Sequence, residues 1–135
     1  METGRRPARG WRDREAAMQR FRFDGEAAWP VTDYGSSFRL ARLLRSPAGE
    51  VRVDIAFLGP GDSIGPHPAG LPQLFCVVVG SGWVQGGDGQ EIAISGGQAA
   101  FWARGERHAT RTDGGLTAVI VQAEALDPAA ALVTI

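Results

Sequence analysis

Between Gly80 and Gly115 the chain is cut by glycine clusters into apolar runs too short for anything but β-strands. Gly80-Ser-Gly82, Gly86-Gly-Asp-Gly89, Ser95-Gly-Gly97 and Asp113-Gly-Gly115 alternate with Trp83–Gln85, Ile92–Ile94, Ala99–Trp102 and Leu116–Ala123. Glycine takes positive φ without a steric penalty, as tight hairpin turns demand. Upstream, Ser46-Pro-Ala-Gly-Glu50 reads as a turn after Phe38–Arg45, a segment whose period fits neither helix nor strand cleanly. Val51–Leu58 then alternates strictly, with Val51, Val53, Ile55 and Phe57 on one face and Arg52 and Asp54 on the other. That is the pattern of a half-buried antiparallel strand. Leu74–Val79 is apolar on both faces and is expected to be central and sandwiched. Seven or more short strands at this spacing predict an all-β sandwich or barrel, and a jelly roll is one solution that hides most strand edges.

With 135 residues the chain forms one domain. Its body is expected over 30–124, preceded by an arm (1–29) and followed by a C-terminal segment (125–135). The arm is basic: residues 1–22 carry seven arginines against Glu2, Asp13 and Glu15. Asp13 is placed to cap a short helix over Arg14–Phe21, and Asp127-Pro128 marks a second helix start. The overall formal charge of −1 argues against a nucleic-acid or anionic-membrane partner. All basic residues are arginine, so neither Schiff-base chemistry nor a P-loop lysine is available. A single cysteine, Cys76, rules out an internal disulfide. No apolar run approaches the roughly 20 residues of a membrane span, and no apolar segment follows the N-terminal arginines as in a secretory signal. The expectation is a cytoplasmic protein.

The chain's two histidines lie in two stretches of special composition. In Gly61–Gly80, His67 stands between Pro66 and Pro68, which favour extended backbone, and Gln73 heads the apolar strand. In Gly97–Thr112 the other histidine is His108. Gly61-Asp-Ser63-Ile-Gly65 matches the G-x-S-x-G string of a nucleophile elbow, but that motif needs a helix after the serine, and Pro66 and Pro68 forbid one. Cys76 is offset by an odd number from Gln73 and should face away from it as a small apolar residue. Glu106 reads as a surface or salt-bridging residue. Phe75, Trp83 and Trp102 are expected in the core or lining a cavity.

These stretches resemble the two motifs of the cupin superfamily. Gly61, His67, Gln73 and Gly80 match the anchors of G-x5-H-x-H-x3,4-E-x6-G, and Gly97, Ala103, Gly105 and His108 those of G-x5-P-x-G-x2-H-x3-N. The resemblance implies an antiparallel jelly roll, or double-stranded β-helix, with a metal or ligand site inside. It also implies a homodimer. The departures fall on the site: Ala69 replaces a histidine, Gln73 the glutamate, Ala103 the proline and Thr112 the asparagine. The remaining metal set would be His67, Gln73 and His108, which is neutral and leaves a dication's charge uncompensated. The expected cofactor is therefore none, or a weakly held Zn, Ni, Mn or Fe. The expected ligand is a small hydrophobic or aromatic molecule, contacted by Gln73, Phe75, Trp83 and Trp102. His67 and His108 are candidate acid–base groups for a metal-independent isomerase, cyclase or lyase. A non-catalytic binding or sensor module, or a metal-dependent cupin with the reduced ligand set, are the other readings.

Overall fold

The computed structural model describes residues 18–135. Nine strands, all paired antiparallel, form one curled sheet: β1 (Trp29–Val31), β2 (Phe38–Arg45), β3 (Val51–Leu58), β4 (Ser63–Pro68), β5 (Gln73–Gln85), β6 (Glu91–Ser95), β7 (Ala99–Trp102), β8 (Arg107–Arg111) and β9 (Leu116–Ala123). The strand order is β1-β2-β3-β9-β5-β8-β4, with β6 and β7 also paired to β5. Two short 3-10 turns complete the fold, Asp33–Gly35 and Pro128–Ala130.

The first half of the expected helix over Arg14–Phe21 lies outside the described residues, and its second half, 18–21, is not helical. Asp127-Pro128 opens only a 3-10 turn, and the Asp127 side chain makes no capping bond.

β5 corrects the sequence reading most clearly. Gly80-Ser-Gly82 is not a hairpin turn but the middle of a 13-residue strand. Residues Gln73–Gly80 pair with β9 and Ser81–Gln85 with β6 and β8, so the strand passes from one half of the barrel to the other. Gly80 has φ +90°, and a Cβ there would run into the Gly115 carbonyl and sit 2.7 Å from Leu116 Cα. Glycine serves here as a corner where two backbones meet, one of its recognised places in a strand.

The ambiguous period of Phe38–Arg45 has a cause in the ladder. Its register shifts between Arg42 and Leu44, so Leu43 is the extra residue of a β-bulge. Arg42 pairs with Asp54, Leu44 with Val53 and Arg45 with Arg52. The bulge sends Leu44 outward and brings Arg45 to the inner face.

β3 shows which of its two faces looks inward. The face pointing into the barrel is Asp54, Ala56 and Leu58, all buried, whereas Val51, Val53, Ile55 and Phe57 are only half-buried on the outside. β5 is central, but it is not sandwiched: Val78 and Val79 are each 60% exposed. Cross-strand register extends the outer face into apolar rows, Ala41–Ile55–Val119–Cys76–Ala99 and Leu44–Val53–Val121–Leu74–Phe101. The core proper is the inner face, where Phe75 is fully buried among Ala56, Val77, Trp102, Ala118 and Ile120.

Candidate functional site

The inner face is graded. One layer is entirely apolar, Leu40–Ala56–Ala118–Val77. The next is Arg42–Asp54–Ile120–Phe75, with Arg42 exposed beside the bulge, and the layer beyond it is polar: Arg45–Arg52–Gln122–Gln73. Above these layers lies a cavity of about 390 Å³, lined on its far side by β4 and β8 with His67, His108 and Thr110 and by Ala69 just after β4.

His67 and His108 are directly paired across β4 and β8, with ring centroids 4.4 Å apart and rings tilted by 54°. Neither stretch is read as a strand from sequence, because the alternation around the prolines is too short. His67 Nδ1 lies 2.8 Å from the Gly65 carbonyl and His108 Nδ1 lies 3.1 Å from the Glu106 carbonyl. A carbonyl oxygen only accepts, so in each neutral ring Nδ1 carries the proton and Nε2 holds a lone pair. The Nε2 of His108 is buried without a hydrogen-bond partner among the described residues. Burial holds His108 below its ordinary pKa of 6.5, and the neighbouring His67 adds to that effect, while the Glu106 carbonyl opposes it.

Aromatic rings flank the pair. Tyr34 stacks on His67 at 4.5 Å with only 4° between planes, and Trp102 stacks on the other side of the site, on His108, at 4.5 Å and 29°. Tyr34 sits at φ 60°, the left-handed region, which for a residue with a side chain costs about 1 kcal/mol. Gly65 makes this possible: a Cβ there would run into the Tyr34 carbonyl, and its N–H instead donates to Ser36 Oγ at 2.9 Å. Tyr34 carries no motif, so only its place beside Gly65 in the folded chain makes it part of the site.

Glu106 does more than the sequence suggests. Its carboxylate accepts from the N–H groups of Ala103 and Gly87, at 3.0 and 2.9 Å, and its carbonyl accepts from Ala69 N and His108 Nδ1. It fixes the turn that aims His108. Thr112 also braces the backbone, since its hydroxyl donates to the Ser81 carbonyl at 2.6 Å and accepts from Gly115 N–H at 2.9 Å.

Of the residues singled out from sequence, His67, Gln73, Phe75 and His108 line the cavity, with Ala69 among them. Trp102 is buried behind His108 rather than on the cavity wall. Trp83 is a correction. The alternation of β5 buries Val84 and turns Trp83 to the other face, where the Arg111 guanidinium lies 3.9 Å from its ring centre. Cys76 faces outward, and partial burial raises its thiol pKa. The sequence reading missed Asp33, Tyr34, Arg45, Arg52, Asp54 and Gln122, which also line the cavity.

No protein-family model and no curated protein matches the chain. Solved structures do. A cupin 2 conserved barrel domain protein from Salinispora arenicola superposes with TM-score 0.64 at 20% identity, covering 81% of this chain and 91% of that one. An RmlC-like cupin from Shewanella frigidimarina gives 0.63 at 20% identity, over 82% and 96%. A predicted oxalate decarboxylase from Thermotoga maritima gives 0.63 at 22% identity, over 75% and 96%. The chain has the cupin fold.

A metal is what that fold implies, and the donor set does not fit one held tightly. His67, His108 and Gln73 offer two neutral imidazoles and an amide oxygen. Among the described residues no three His, Cys, Asp or Glu side chains converge. The buried carboxylate on the cavity wall, Asp54, is already in ionic contact with Arg45. A dication enclosed by neutral ligands would keep its desolvation penalty largely uncompensated.

Proposed function

We propose that the barrel binds a small organic molecule, that His108 exchanges a proton with it and that His67 Nε2 accepts a hydrogen bond from it. One observation carries this reading: the buried Nε2 of His108, on a ring that lines the cavity, has no partner among the described residues. A buried acceptor left unpaired costs about 1–3 kcal/mol. A hydroxyl, N–H or acidic C–H of a bound ligand would offset that penalty. A cavity of about 390 Å³ falls within the usual range for small-molecule sites, and it combines apolar walls with a few convergent polar groups.

The chemistry follows from the tautomers. Each ring is fixed as Nδ1–H by its own backbone, so Nε2 is the basic atom of each. His108 remains neutral at pH 7 because burial disfavours its cation, and it serves as the base that removes a proton. His108, then carrying that proton on Nε2, returns it to a neighbouring ligand atom, while the Nε2 lone pair of His67 accepts a hydrogen bond that holds the ligand in place. Proton removal at one position and delivery at the next makes an isomerisation, cyclisation or elimination, with no step routed through a metal. Gln73 orients the ligand through its amide, and Phe75 supplies apolar wall.

Titration with phenol and with toluene tests the reading, because the two differ chiefly in one donor. Phenol is expected to bind at least tenfold more tightly than toluene, and a His108→Phe variant should lose that preference while still binding toluene. Equal binding of the two by the wild-type protein, or a preference unchanged in the variant, would overturn it.

A further inference from the structure

We infer that the cavity carries an anion subsite for the carboxylate of a monoanionic organic acid, formed by Arg52 and Arg45 and balanced by Asp54. The inference rests on the ligand-binding reading above and narrows its ligand class.

The subsite follows from the β2 bulge. Because Leu43 is the extra residue, Arg45 lands on the inner face directly opposite Arg52. Like charges opposite each other on paired strands destabilise a sheet unless an anion compensates them. One anion is present. Asp54 is 3% exposed, and its Oδ1 lies 2.7 Å from Arg45 Nη1. That contact is ionic but not aligned as a hydrogen bond: Nη1 donates to the Leu44 carbonyl at 2.9 Å, and Oδ1 has no hydrogen-bond partner among the described residues.

The charge count sets the ligand. Arg45 and Asp54 cancel, and no described carboxylate lies within ion-pair distance of Arg52. The row with Asp54 is left with one net positive charge, half-buried on Arg52; Arg42, opposite Asp54, is exposed and off the cavity wall, and Asp33, which is on that wall, lies outside the row. One carboxylate neutralises it, whereas a dianion would add excess negative charge to a cavity whose wall already holds Asp54 and Asp33. Guanidinium also suits a carboxylate geometrically, through two parallel N–H donors. Gln122 and Gln73 continue the same row toward the remaining strands and can donate to the second face of the bound group. With its carboxylate on Arg52, the body of the acid extends over Phe75 and Ile120, within the cavity that His67 and His108 line opposite.

Calorimetric titration of the full chain with benzoate, benzamide and phthalate is the test, at low and high salt. Benzoate is expected to bind at least tenfold more tightly than benzamide and than phthalate, with the advantage shrinking as salt rises. Arg52→Gln should bring benzoate down to the level of benzamide and leave benzamide unchanged, while Arg52→Lys should restore part of the preference. Binding of benzamide with no benzoate preference would overturn the anion subsite alone. If neither compound binds, the cavity reading falls together with it. A benzoate preference that survives in Arg52→Gln would place the anion elsewhere and sink the assignment. Should Arg52→Gln fail to fold, Arg52→Lys alone decides: a reduced but still salt-sensitive selectivity of the lysine variant for benzoate over benzamide supports the subsite, and unchanged or absent selectivity overturns it.

Discussion

At the scale of single residues, His108 is where the fold imposes its largest chemical constraint. The ring is buried, clamped through Nδ1 by the Glu106 carbonyl and backed by Trp102. Its pKa is lower in the folded chain than the ordinary 6.5, so between the two values the unfolded chain binds more protons. The stability that this neutral ring contributes is fully present above about pH 6.5 and is lost as pH falls through the window below it. Urea unfolding at pH 7.5 and 5.0 should show this loss, and His108→Gln should flatten it; a slope identical in the variant would assign the effect to other groups. Ala69 and Gln73 line the same cavity as the two histidines, so Ala69→His with Gln73→Glu would supply a third imidazole and an anion. The double variant is expected to bind Zn or Mn at least a hundredfold more tightly than the unaltered chain, because a carboxylate compensates the ion where the dielectric is low. Calorimetry on both proteins checks this, and equal affinities would show that the neutral set is already sufficient. Little of this was open to sequence: motif spacing pointed to the two histidines, but their tautomers depend on carbonyls two residues away, held by the local backbone.

At the scale of elements, the barrel depends on places where strands depart from regularity. Gly80 lets β5 turn from one half of the sheet to the other, and Leu43 sets the parity that places Arg45 inside. Gly80→Ala would add a side chain at φ +90° against the Gly115 carbonyl and is expected to cost about 2 kcal/mol or more. Denaturant titration measures it, and a change below 0.5 kcal/mol, on the order of an ordinary surface substitution, would mean that the corner relaxes freely. The alternation of Val51–Leu58 was plain in the sequence, but which of its faces points inward was not. Apolar residues are expected inside only when the outside is wet. Here the inside is a partly polar cavity, and the outer face is apolar.

At the scale of the whole molecule, that outer face is an extended apolar surface. Two apolar rows cross β2, β3, β9, β5 and β7. The C-terminal segment lies along part of them, with Pro128, Ala129 and Leu132 beside Leu74, Cys76 and Phe101. A contiguous apolar patch of this kind marks an interaction surface, and a two-fold pairing of identical faces is the simplest way to cover it. Light scattering is expected to give twice 14.3 kDa at micromolar concentration, and Ile55→Glu should return the protein to monomer. A wild-type mass of 14.3 kDa would remove the idea. Among the described residues no helix is long and apolar enough to cross a membrane.

The sequence alone determined the all-β barrel, its glycine punctuation and the two stretches that carry His67 and His108, because strand periodicity, turn chemistry and motif spacing are local and are written in neighbouring residues. Tertiary structure decided the rest. It turned Gly80–Gly82 from a turn into a corner, sent Trp83 outward, and brought Tyr34 onto His67. It also gathered Arg45, Arg52, Asp54 and Gln122 on the wall of one cavity. The physical reason is that register, and a single bulge within it, fixes which face of a strand looks inward. That choice is settled by partners far apart in the chain.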